Sequence, residues 1–79
     1  MRIEINDWDL VENAAVYFKG RTALAQAWLD LFSDFGDVPL PTLVEPANKF
    51  AASKKLPFRV IEAVSQNEEG EIDWIIEML

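Results

Sequence analysis

The chain opens on RIEI, which places Ile3 and Ile5 on one side of an extended backbone and Arg2 and Glu4 on the other. That two-residue period predicts a short strand. Asn6 and Asp7 form a cap-like break, and the period then lengthens. From Asp7 to Phe18, Leu10, Ala14 and Tyr17 recur at helical spacing with Val11, Ala15 and Phe18 beside them. Asp9 and Glu12 fall in the first turns, where carboxylates complement the helix dipole, and Gly20 ends the helix. Thr22 is placed to cap the next one. Leu24, Trp28, Leu31 and Phe35 form its apolar stripe, widened by Ala25, Leu29 and Phe32. Gln26, Asp30, Ser33 and Asp34 take the opposite face, the signature of an amphipathic helix. Gly36 stops it, and a connector with two prolines runs from Asp37 to Pro41. Thr42 and Glu45 have capping-box spacing, and Pro46 suits a first turn. Leu43, Ala47, Phe50 and Ala51 then face inward, with Lys54 and Lys55 at the end that favours cations.

Pro57 marks a return to the shorter period. In PFRVIEAVS, Phe58, Val60 and Val64 alternate with Arg59, Ile61 and Ala63, and the β-branched residues favour a strand. NEEG supplies turn formers at Asn67 and Gly70. The last run, EIDWIIEML, puts Ile72, Trp74, Ile76 and Met78 on one face and Glu71, Asp73, Ile75 and Glu77 on the other. A helix is also compatible with residues 71–79, because Ile72, Ile75, Ile76 and Leu79 fit its spacing. The strand is preferred because the alternation and the preceding turn agree. The expected fold is a small single α+β domain over residues 1–79. Its order is strand, three helices and β-hairpin, with a short sheet covered by helices on one face.

Composition fits a folded unit. Of 79 residues, 51% are hydrophobic and 11% aromatic, too apolar for a disordered acidic tail. There is no cysteine, so no disulfide supports the small core. The start, MRIEINDWDL, lacks a basic segment followed by a long apolar run, and no stretch approaches the roughly 20 apolar residues that span a bilayer. The cytoplasm of a bacterial host cell is the expected location. The net charge of −7 argues against direct nucleic-acid binding and against anionic membranes, both of which call for cations. It favours a basic partner.

Histidine is absent along with cysteine. That removes the commonest general base, the strongest side-chain nucleophile and the thiolate or imidazole zinc sites. Gly20, Gly36 and Gly70 are isolated, so no phosphate-cradling loop is encoded. Carboxylate pairs remain, but a domain this small has little room for a substrate pocket. The reading is non-enzymatic, without cofactor. NDWD at 6–9 and NEEGEID at 67–73 do not match the spaced calcium-loop pattern, so no metal site is assigned.

The informative feature is the arrangement of acids. After Arg59 the chain has no cation, while Glu68, Glu69, Glu71, Asp73 and Glu77 crowd the predicted hairpin. Asp30, Asp34 and Asp37 make a second acidic group around the end of the second predicted helix. A polar strand face explains the alternation, but like charges along one strand repel, and interspersed lysines are the usual remedy. Trp8, between Asp7 and Asp9, is a possible interface anchor, and Ile75 is the apolar member of the acidic face.

The stretch VIEAVSQNEEGEIDWIIEML, in a short acidic chain without Cys or His, resembles the small phage-encoded anti-CRISPR proteins. The resemblance is one of size and charge and carries no motif. It implies a domain that binds the basic nucleic-acid channel of a CRISPR effector subunit and blocks DNA binding. The expected partner is therefore a basic nucleic-acid-binding protein, met by Glu68, Glu69, Glu71, Asp73, Glu77, Asp30, Asp34, Asp37, Trp8 and Ile75. Two alternatives stand beside it. One is an immunity or antitoxin-like inhibitor of a basic toxin. The other is a homodimeric assembly module whose charge serves only solubility. The chain is expected to act as a monomer or homodimer.

Overall fold

A computed structural model describes residues 1–33 and 38–79. Three strands form one antiparallel sheet: β1 (Arg2–Asn6), β2 (Phe58–Gln66) and β3 (Ile72–Met78). The order is β1-β3-β2, so the last strand lies in the middle. Four helices, α1 (Asp7–Glu12), α2 (Ala14–Tyr17), α3 (Thr22–Ser33) and α4 (Val44–Ser53), join β1 to β2, with a 3-10 turn at Leu40–Leu43 leading into α4. The α+β class, the helical layer and the hairpin are as the sequence predicts. Residues 72–78 are strand, which decides between the two readings of that segment.

Three details of the helical layer differ from the expected pattern. The first helix breaks at Asn13 into α1 and α2, where the Asn13 amide donates to the Asp9 carbonyl instead of leaving that bond to the backbone alone. Thr22 is the first residue of α3 and not a residue outside it. The capping box does not form either. The Thr42 hydroxyl donates to the Pro39 carbonyl inside the 3-10 turn, and α4 starts two residues later.

The alternation in β2 is also reversed partway. Register shifts between Val60 and Glu62, and again between Ala63 and Ser65, each insert an extra residue. Each β-bulge moves the following side chains to the other face. Ala63 therefore points into the core at 5% exposure and Val64 points out at 39%, opposite to a strict two-residue period. Just before the first bulge, the edge of β2 is partly covered. The Asn48 side chain on α4 accepts from the Val60 N–H at 2.8 Å and donates to its carbonyl at 2.9 Å, standing in for a neighbouring strand.

The core is aromatic. Trp28 on α3 lies against Phe18, Phe32, Phe50, Phe58 and Trp74, with ring centroids 4.7–6.1 Å apart. Ile72, Trp74 and Ile76 of β3 are fully buried beneath it, because the central strand has a neighbour on either side and helices above. Phe35, expected in this core, lies outside the described residues.

Two lysines adopt left-handed backbone, Lys19 at φ 53° and Lys55 at φ 55°. Lys55 sits just past α4. Its N–H reaches the Ala52 carbonyl while the Leu56 N–H reaches that of Ala51, the Schellman ending that glycine ordinarily occupies. Leu56 is buried behind it, so the conformation is fixed. A side chain at positive φ costs about 1 kcal/mol. Lys55→Gly is therefore expected to raise the thermal midpoint by several degrees, measured by circular dichroism.

Candidate functional site

The site is best approached through one buried carboxylate. Asp7 is 4% exposed, the sole charged residue in the core among those described. Asn6 caps α1 by accepting from the Trp8 N–H at 2.9 Å, and this turn aims the Asp7 side chain inward. Its Oδ1 accepts from the indole N–H of Trp28 at 3.0 Å and from that of Trp74, and its Oδ2 accepts from the Ile72 N–H at 2.9 Å. One carboxylate thus satisfies three buried donors from α3 and β3. Burial pushes the Asp7 carboxyl above its ordinary value of 3.8, with Glu71 adding to the rise. The three donated hydrogen bonds hold it down in part. From the sequence alone, Asp7 reads only as part of a cap. The signal that could have found it is indirect: two inward tryptophans need an acceptor for their N–H groups.

Asp7 also ties the hairpin to the helices. Immediately after it, Trp8 is 50% exposed. Asp7, Trp8, Leu29, Glu69, Gly70 and Glu71 line one cleft of about 150 Å³. The turn beyond β2 is ordered by Asn67, whose side-chain oxygen accepts from the Glu69 and Glu71 N–H groups while its amide donates to the Glu71 carboxylate at 2.8 Å. Glu68 and Glu69 are exposed on this turn.

The outer sheet face resolves into three rows by register. Arg2, Glu77 and Arg59 form the first; Glu4, Ile75 and Glu62 the second; Asn6, Asp73 and Ser65 the third. Glu77 is therefore flanked by two cations. Arg59 donates to its Oε1 and Arg2 lies 3.5 Å from Oε2. These neighbours, the Arg59 hydrogen bond foremost, hold the Glu77 carboxyl below the usual range. Asp73 accepts from Asn6 Nδ2 at 3.0 Å and from Ser65 Oγ at 2.9 Å. Ile75 is half-buried between two acids.

The expected acidic residues thus divide. Glu68, Glu69 and Glu71 gather with Trp8 at the hairpin end, and Asp73 lies next to them on the sheet. Glu77 belongs to the opposite end, beside arginines. The missing lysines of β3 are supplied across the sheet by Arg2 and Arg59, a compensation visible only in the register. Asp30 is exposed on α3 and accepts from Gln26 at 2.9 Å. Asp34 and Asp37 lie outside the described residues.

Charge is consequently polarised along the strands. Glu68, Glu69, Glu71 and Asp73 make no ion pair with any described residue. At the other end, Lys55 and Arg59 border a groove of about 340 Å³ with Leu56, Phe58 and Leu79. From Glu71 to Glu77 the strand covers about 20 Å. Among the described residues no group of three or more His, Cys, Asp or Glu side chains is arranged to hold a metal, and no helix is long and apolar enough to cross a membrane.

Comparison with family models, curated proteins and solved structures finds no match for this chain.

The Asp7 network makes two checkable statements. Asp7→Ala leaves three buried donors without an acceptor, at about 1–3 kcal/mol each. It is expected to lower the unfolding free energy in urea by about 3 kcal/mol or more, whereas Trp8→Ala changes it little. The second concerns pH. Because the folded-state pKa of Asp7 is raised, the stability that comes from its binding a proton more tightly when folded is fully present below 3.8 and is lost as pH rises through the folded value, while its accepted hydrogen bonds remain. Glu77 works in the opposite sense, losing its contribution as pH falls through a lowered value. The indole N–H resonances of Trp28 and Trp74 should shift together with a single midpoint above 3.8, and that of Trp8 should not follow them.

Proposed function

We propose that this chain is a non-enzymatic binding protein that presents the acidic hairpin end to a basic, nucleic-acid-binding surface of another protein and excludes the nucleic acid from it. The observation that carries this reading is the cluster of Glu68, Glu69, Glu71 and Asp73 without an ion-pair partner among described residues. Elsewhere on the same sheet Glu77 is matched by two arginines. Glu4 and Glu62 of the middle row also make no ion pair among the described residues, so the unmatched charge runs from the hairpin end to the middle of the sheet. Such charge costs stability, and leaving it there is consistent with a partner that supplies the counter-charge. The polarised distribution would orient the encounter, giving fast, salt-sensitive association.

The resemblance in size and charge to anti-CRISPR proteins makes a CRISPR effector subunit the first partner to try, with action in the cytoplasm of a bacterial host. The protein would act without cofactor, metal or direct contact with nucleic acid. The basic end at Lys55 and Arg59 would face away from the partner.

The test is capture from nuclease-treated bacterial lysate by the immobilised protein at low and high salt, with mass spectrometry of what is retained. Wild type is expected to hold cationic nucleic-acid-binding proteins that high salt or added duplex DNA releases. Glu68→Lys combined with Glu69→Lys should abolish that retention while leaving the circular dichroism spectrum unchanged, since both residues are exposed turn positions. Retention indifferent to salt and to this charge reversal would contradict the proposal.

A further inference from the structure

The cleft beside Trp8 has features that overall acidity does not account for. Its lining combines the half-exposed Trp8 with Glu69, Glu71, Asp7 and the aliphatic Leu29, and it includes no cation. Asp7 is a buried carboxylate with no cationic partner among described residues, and Glu71 is close enough to raise its proton affinity. Gly70 at φ 86° takes the left-handed conformation that favours glycine on the turn side of the cleft, and a side-chain carbon there would meet nothing within 4 Å. The walls are held in place without a ligand. Asn6 fixes the backbone at Trp8 and Asn67 fixes Glu69 and Glu71. At about 150 Å³ the space suits a side-chain head group and not a cofactor.

We propose that this cleft is a socket for a single arginine side chain of the partner, its guanidinium plane against the Trp8 indole and its N–H groups donating to the Glu69 and Glu71 carboxylates. The inference rests on the proposed binding of a basic partner and names the contact through which it is recognised. Guanidinium fits better than ammonium for two reasons. It is planar and weakly hydrated, so it stacks on an indole face with less loss of solvation. Its donors are forked, so two neighbouring carboxylates can be engaged together. A phosphate, by contrast, would meet the like charges of Glu69 and Glu71.

The experiment is a two-dimensional NMR titration with N-acetyl-arginine-N-methylamide, the corresponding lysine compound and the neutral citrulline compound. The arginine compound is expected to shift the Trp8 indole N–H and the Gly70 and Glu71 amides in a saturable way. The lysine compound should bind more weakly, and the citrulline compound should leave these signals in place. Trp8→Ala should weaken arginine binding about threefold or more, and Glu69→Gln with Glu71→Gln roughly tenfold. Unchanged Trp28 and Trp74 indole signals would show that the variants remain folded. Equal responses to the three compounds, or shifts spread evenly over Glu4, Ile75 and Glu62, would overturn the socket. So would salt-released capture of basic proteins that survives Trp8→Ala unchanged, though the electrostatic reading would then stand. Capture indifferent to Glu68→Lys and Glu69→Lys would remove that reading itself.

Discussion

The carboxylate of Asp7 is the constraint on which the rest of the structure depends. Two tryptophans supply much of the core volume, and each carries an N–H that must find an acceptor once it leaves water. Trp28 comes from α3 and Trp74 from the central strand, and a single oxygen of Asp7 receives both. The other oxygen receives the Ile72 N–H, at the point where the hairpin turn becomes β3. A charge in the core is unfavourable by itself, and the upward pull on the Asp7 proton affinity is the sign of that. Three convergent donors offset part of the penalty and fix the relative positions of helix, strand and turn.

The same contact connects the core to the surface. Because the Ile72 N–H is held by Asp7, the adjoining turn is set against the first turn of α1. Glu69, Gly70 and Glu71 then share a cleft with Trp8. An acidic loop that was free to move would lose entropy on meeting a partner. Here the Asn67 and Asn6 hydrogen bonds have already ordered it. The acidic end is thus a rigid surface, and the basic end about 20 Å away along β3 is its electrostatic complement.

Local pattern was sufficient for most elements. The exact alternation of β3, the stripe of α3 and the Asn67–Gly70 turn are properties of neighbouring residues, and each was legible before any tertiary contact was known. What escaped the sequence depends on distant partners. Asp7 meets donors 21, 65 and 67 positions away, and its sequence neighbourhood reads equally well as a helix cap. The two arginines that flank Glu77 belong to different strands, so β3 looked purely acidic when read alone. The bulges of β2 reverse Ala63 and Val64 through the pairing with β3, which composition does not show. Of the expected site, the group at Glu68, Glu69, Glu71 and Trp8 is one place, Asp73 adjoins it, and Glu77 is elsewhere.

The most direct test of the account is native-state hydrogen exchange of three protons: the indole N–H of Trp28, the indole N–H of Trp74 and the amide N–H of Ile72. If one buried carboxylate holds all three, they exchange only when the domain unfolds, and their opening free energies agree with one another and with the global value from urea. Exchange of the Ile72 amide at a much lower free energy than the two indoles would show that the hairpin opens independently. That result would contradict the claim that Asp7 locks the acidic end to the core.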